Sequence, residues 1–214
     1  MCPNLRQLKK ELAEKRRFRD PRERDEERRV IRALNERALG VGDRKESVLR
    51  WLHWNRALMG ISAEARTAIA GRVLAFGDER ELTSLGLDKS KIVSEFDSLS
   101  ERISTVVPLT AAGERRDVTS LTSKALWGCY PDDVPICDNN AKCALGVISR
   151  LCHWAPTPSK SKYAPFVDVW FRVYEEIEPV IDEADLSDCP HKVRVIDSML
   201  WYLGQSGFHS GGAT

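Results

Sequence analysis

This chain of 214 residues has no C-x-x-C pair, no apolar leader and no long hydrophobic run. Each absence removes a class of protein. The six cysteines, at positions 2, 129, 137, 143, 152 and 189, have neither zinc-ligand nor redox-motif spacing, so reduced, mainly buried thiols are expected, with no metal and no cofactor. The segment MCPNLRQLKKEL lacks the apolar core of a secretory signal, and no stretch approaches the roughly 18 consecutive apolar residues that a membrane helix needs. A cytoplasmic protein with no membrane partner is the expectation. Sustained period-two alternation, the mark of a half-buried sheet, is missing as well, and so are internal repeats.

A hydrophobic content of 42% is enough for one well-buried domain of this length. The net charge of +1 conceals an asymmetry, because residues 1–50 hold 16 Lys and Arg against 10 Asp and Glu, and the remainder 17 against 22. A basic segment can meet phosphate, although a solvated helix face has the same composition.

From Leu5 to Leu39 the chain is rich in Arg, Lys, Glu, Ala and Leu, which are good helix formers, with Pro21 as the one strong breaker. Two helices meeting near Asp20-Pro21 are predicted there, and Gly40-Val41-Gly42 reads as a helix C-terminal turn. Further helices are predicted over ESVLRWLHWNRALM, over residues 62–76 behind a Ser62 cap, and near 89–104, 120–130, 139–153, 163–177 and 191–203. YAPFVDVWFRVYEEI alternates locally like a strand, but its length and the spacing of Phe166, Trp170 and Tyr174 favour a helix. The predicted fold class is all-α, with a charged helical arm over 1–45, a compact helical body over 46–205 and a Gly-rich tail over 206–214.

One stretch carries chemistry: SLTSKALWGCYPDDVPICDNNAKCAL, Ser120 to Leu145. Thr119 or Ser120 is expected to cap a helix that puts Lys124 near its start, where the helix dipole disfavours an ammonium and favours the neutral, nucleophilic amine. Pro131-Asp132-Asp133 ends that helix, Val134-Pro135-Ile136 forms a short apolar connector, and Asp138 stands where the next amphipathic helix begins. An aspartate there accepts backbone N–H groups, which fixes its carboxylate and favours the ionised form. On position alone Asp138 is a helix cap and Lys124 a surface lysine.

The pattern S-K, an apolar helix, and then P-D-x-x-P-I-x-D-N resembles the catalytic segment of DNA glycosylases with the 8-oxoguanine-glycosylase fold, in the helix-hairpin-helix-GPD superfamily. The likeness covers about 25 residues, with weaker support in HKVRVIDSMLWYLG. It implies that Lys124 is the amine nucleophile and that Asp138 caps the following helix and serves the reaction. The lysine-to-aspartate interval is 14 residues, short for the superfamily, and DVTSLTS replaces the hairpin glycines. The resemblance therefore belongs to a divergent bacterial branch that includes antiviral glycosylases acting on modified phage bases.

The implied function is excision of a modified or damaged base from double-stranded DNA by a monomer, with AP lyase activity if Lys124 forms a Schiff base. Trp127, Trp54, His53 and Trp201 are the candidate base-pocket residues, since a flipped base needs flat surfaces and edge readers. Trp154, Trp170 and His153 are further candidates, although an aromatic at helical spacing more often belongs to the core. Arg115, Arg116, Asn139, Asn140 and Lys142 are the candidate DNA contacts, with Arg150, Lys160 and Lys162 close by in sequence. Three rival readings remain: repair of 8-oxoguanine, a non-catalytic DNA-binding helical protein, and a metal-dependent nuclease using Asp132, Asp133 and Asp138.

Overall fold

The computed structural model describes residues 21–36, 39–154, 162–182 and 191–205, with the side chains of 21–23, 180 and 182 excepted. The helix predicted upstream of Pro21, Cys2, Cys189, Lys160 and the 206–214 tail lie outside these residues. The described chain forms eight α-helices and no strand: α1 Pro21–Asn35, α2 Val41–Trp54, α3 Ala63–Asp78, α4 Lys89–Ser104, α5 Thr119–Cys129, α6 Asn139–Leu151, α7 Tyr163–Asp182 and α8 Lys192–Gln205. None is long and apolar enough to cross a membrane. The all-α class is therefore correct.

The chain divides into two compact units, one over Arg19–Val134 and one that contains the chain from Pro135 onward. This is a different division from a 1–45 arm and a 46–205 body. The reason lies in α1, where Val30, Ala33 and Leu34 recur at helical spacing and are almost wholly buried; such a stripe has to be covered by neighbours. Gly128 in α5 makes room for it, since a Cβ there would lie 2.8 Å from Leu34 Cδ1.

Arg44, buried in α2, ties three helices of this unit together. Its Nε donates to the Ala33 carbonyl at 2.6 Å, and its Nη2 pairs with Asp78 Oδ1 at 2.7 Å. The first contact satisfies a C-terminal carbonyl of α1 and the second holds the end of α3. Gly40 is the N-cap of α2 with φ −57° and ψ 141°, so the Gly40–Gly42 punctuation opens a helix and does not end one. A glycine needed for a C-terminal turn would have a positive φ.

Two expected caps are where the sequence put them. Ser62 accepts from Ala65 N at 3.3 Å at the start of α3, and Asp138 accepts from Ala141 N at 2.9 Å at the start of α6. Neither Thr119 nor Ser120 caps α5; its N-cap position is Val118, and Asp117 Oδ1 accepts from Thr119 N at 3.0 Å instead.

In the unit that begins at Pro135, α7 buries Tyr163, Phe166, Val167, Trp170, Val173, Tyr174 and Ile177. That spacing is helical, and it settles the strand ambiguity of this segment. Helices α6 and α8 pack with their backbones close, because Gly204 lies against Asn140. A Cβ at 204 would stand 2.6 Å from the Asn140 carbonyl carbon and 2.8 Å from its Cα. Gly204→Ala is expected to lower the unfolding free energy by about 1–3 kcal/mol, as overpacking does when backbone must move, measured by urea denaturation. Wild-type stability in that variant would contradict the close crossing.

Candidate functional site

Lys124 is not a surface lysine. It occupies the second turn of α5 with only 7% of its surface exposed, and both ends of the residue are held. Its carbonyl accepts from Trp51 Nε1 at 2.9 Å, and its Nζ donates to the Asn55 carbonyl at 2.9 Å.

That acceptor exists because of how α2 ends. Arg56 takes a left-handed φ of 53°, its N donates to His53 O at 2.9 Å, and Ala57 N donates to Leu52 O at 2.9 Å. These two bonds form a Schellman turn, which stops the helix with Asn55 as C-cap and leaves its carbonyl for Lys124. The Lys124 ammonium thus sits against the negative end of α2. The electrostatic setting of the amine comes from a second helix as well as from its own, which reasoning along α5 alone could not anticipate.

Trp127 is fully buried and packs on Trp51, with ring centroids 5.0 Å apart. Trp54 and His53, in the last turn of α2, are exposed. The α1–α5 unit therefore gathers Lys124, the Trp51–Trp127 pair and the His53–Asn55 run in one neighbourhood, in which Trp54 is the exposed tryptophan. His153 is likewise a helix-ending residue, with φ 53° in a second Schellman turn after α6.

Arg115 is exposed, while Arg116 donates from Nη1 to the Gly60 carbonyl at 2.7 Å. Both line a cleft of about 410 Å³ together with residues 104–109 and Val118. This cleft stands beside the start of α5, which has no side-chain cap at Val118.

In the other unit Asp138 is half-buried at the start of α6. Oδ1 makes the cap, and Oδ2 has no hydrogen-bond partner among the described residues. Asn139 is exposed, and Asn140 and Lys142 are half-exposed in the same first turn. Trp201, on α8, is 43% exposed. Lys124 and Asp138 belong to different units.

A buried carboxylate that the sequence reading passed over stands behind the connector. Asp197, in α8, is 2% exposed; its Oδ2 accepts from Ile136 N at 2.9 Å and its Oδ1 from Trp170 Nε1 at 3.0 Å. Burial is the largest influence on it and, with the charge of Asp138, outweighs Arg194 and the two N–H donors, so its pKa is pushed up to about 7. An acid raised in this way stabilises the fold fully below the ordinary carboxylate range, and that contribution is lost as pH rises through about 7. The signal in the sequence was an aspartate inside the apolar run VRVIDSML.

Asp133 has a different task. It accepts from Leu85 N at 2.7 Å, Leu87 N at 3.0 Å and Ser84 Oγ at 3.1 Å, closing the 84–87 turn in which Gly86 and Leu87 have positive φ. Among the described residues no three His, Cys, Asp or Glu side chains form a group able to hold a metal ion. The described cysteines form no disulfide with one another, and burial pushes Cys129 up to about 12, which makes it a poor nucleophile.

No family model, curated protein or solved structure matches this chain.

Proposed function

We propose that this chain is a DNA glycosylase that flips out and excises a modified or damaged base, with Asp138 as the carboxylate and Lys124 as the amine of the reaction. The observation that carries the reading is the state of Asp138: helix capping fixes one oxygen and leaves the other unpartnered among the described residues, in a segment that resembles the glycosylase pattern. The leaving base takes the bonding electrons of the C1′–N bond, so the sugar becomes oxocarbenium-like and a fixed anion lowers the energy of that state. Lys124, once it has released its proton, then adds to C1′ and permits strand cleavage through a Schiff base. The exposed Trp54 and His53 lie beside the lysine's partner Asn55 and are the residues proposed to meet the flipped base. A modified phage pyrimidine, such as a glucosylated cytosine, is the proposed target, in defence against phage, with 8-oxoguanine as the repair alternative.

Duplexes carrying one glucosylated hydroxymethylcytosine or one 8-oxoguanine test this directly. Alkali-labile breaks at the modified position are expected on one of them, and intact strands on both would contradict the proposal. DNA affinity has its own check. Arg115 is exposed and lines the cleft, and Arg115→Gln is expected to reduce the slope of log K against log salt by about 0.9, the value of one phosphate contact. The loss should be equal on modified and unmodified duplexes. An unchanged slope would remove Arg115 from the DNA-contacting set.

A further inference from the structure

The peptide unit joining Pro135 to Ile136 is held at both ends by buried side chains. Tyr163 Oη, from the start of α7, donates to the Pro135 carbonyl at 2.7 Å, and Asp197 Oδ2, from α8, accepts from Ile136 N at 2.9 Å. Trp170 Nε1 in turn orients the same carboxylate through its other oxygen. Tyr163, Trp170 and Asp197 are each at most 2% exposed. A connector two residues ahead of a helix does not require two buried side chains on one peptide plane and a third that orients one of them. A carboxylate in an apolar core is costly even when it is hydrogen-bonded.

Asp138 follows two residues later. Its backbone direction at the N-cap is set by the residue run that this clamp holds. We infer that Asp197 is a positioning residue for Asp138, acting through the Pro135–Ile136 peptide and through its own negative charge behind the reacting carboxylate. The inference rests on the glycosylase reading of Asp138.

The titratable groups facing Asp197 are Arg194 on its own helix, Asp138 at the start of α6 and the neutral Tyr163 hydroxyl, which also faces Cys137. Arg194 favours the anion, while Asp138 and burial oppose it. Only the ionised carboxylate accepts from both N–H donors with no proton left to place. The fold is thus more stable with Asp197 protonated and the clamp is complete with it ionised, a conflict expected where a functional group has been built into a core.

Asp197→Asn keeps the side-chain shape and one acceptor oxygen. The expected result is a single-turnover excision rate about 10- to 100-fold lower, the usual cost of losing a group that orients a reacting one, with the Kd for substrate DNA unchanged. The pH–rate profile should also lose a rising limb centred on about 7, and the Ile136 amide should exchange its hydrogen faster. A variant that destabilises the fold without moving the pH profile would make the role merely structural and overturn the inference. Tyr163→Phe releases the same peptide from the other side; it is expected to slow excision without changing Kd, and a wild-type rate there also overturns it. Carboxyl NMR supplies a readout that needs no substrate, because Asp138→Asn should lower the titration midpoint of Asp197 from about 7. A wild-type protein that excises no base contradicts the glycosylase reading instead, while that titration still shows whether the two carboxylates are coupled.

Discussion

Asp138→Asn is expected to lower base excision by about 10²- to 10⁴-fold, the range seen when a positioned acid–base or charge-stabilising group is removed, while leaving the protein folded and nearly as stable as wild type. The two halves of this expectation have separate physical causes. Asparagine and aspartate are comparable N-caps, so the bond from Ala141 N to the side-chain oxygen survives and the start of α6 is preserved. The charge does not survive. An oxocarbenium-like sugar gains little from a neutral amide, so the catalytic loss should appear with unchanged DNA affinity. Asp138→Ala is the control, because it removes cap and charge together and should also cost about 1 kcal/mol of stability. Equal excision by the Asn variant and the wild type would return Asp138 to a capping role alone.

Lys124→Met is expected to abolish the covalent adduct that borohydride traps between the wild-type protein and substrate DNA. Methionine retains most of the buried stem and packs without strain in irregular space. What it removes is the ammonium, and with it the charged donor to the Asn55 carbonyl. That carbonyl is one of the unsatisfied C-terminal groups of α2. Losing its partner should therefore destabilise the α1–α5 unit by about 1–3 kcal/mol, as for a buried acceptor left unpaired. Both readouts are needed. A stable variant that still forms the adduct would move the nucleophile to another amine, whereas excision without trapping in the wild type would make water the nucleophile.

How much of this was legible in the sequence depends on how local each feature is. The cap at Asp138 could be read because an N-cap needs only its own residue and the next turn. Helices α3 to α8 could be read because their apolar stripes repeat within each segment, and in α7 seven buried residues keep that period. The packing of α1 into the α1–α5 unit was missed because the arginines and glutamates around Val30, Ala33 and Leu34 dominate its composition. Lys124 was misjudged for a related reason. Its position in α5 is local, but its acceptor lies 69 residues away and exists only because Arg56 adopts a left-handed conformation. Asp197 shows in the sequence only as an aspartate in an apolar run, since its partner is an amide 61 residues earlier in the chain.

The residues proposed to meet DNA divide along the same line. Arg115, Asn139, Trp54 and His53 are exposed. Trp127 is the opposite case: one turn from Lys124 along the helix, it turns its ring onto Trp51 in the core. Sequence distance placed it beside the lysine, and packing decided which way it faced.

The most direct measurement of the central claim is mass spectrometry of the small molecules released when the wild-type protein is incubated with DNA containing glucosylated hydroxymethylcytosine or 8-oxoguanine. A glycosylase releases the free modified base in amounts matching the abasic sites formed, and the Asp138→Asn protein releases almost none. Absence of free base from both DNAs, with the protein folded and bound to them, would contradict the claim.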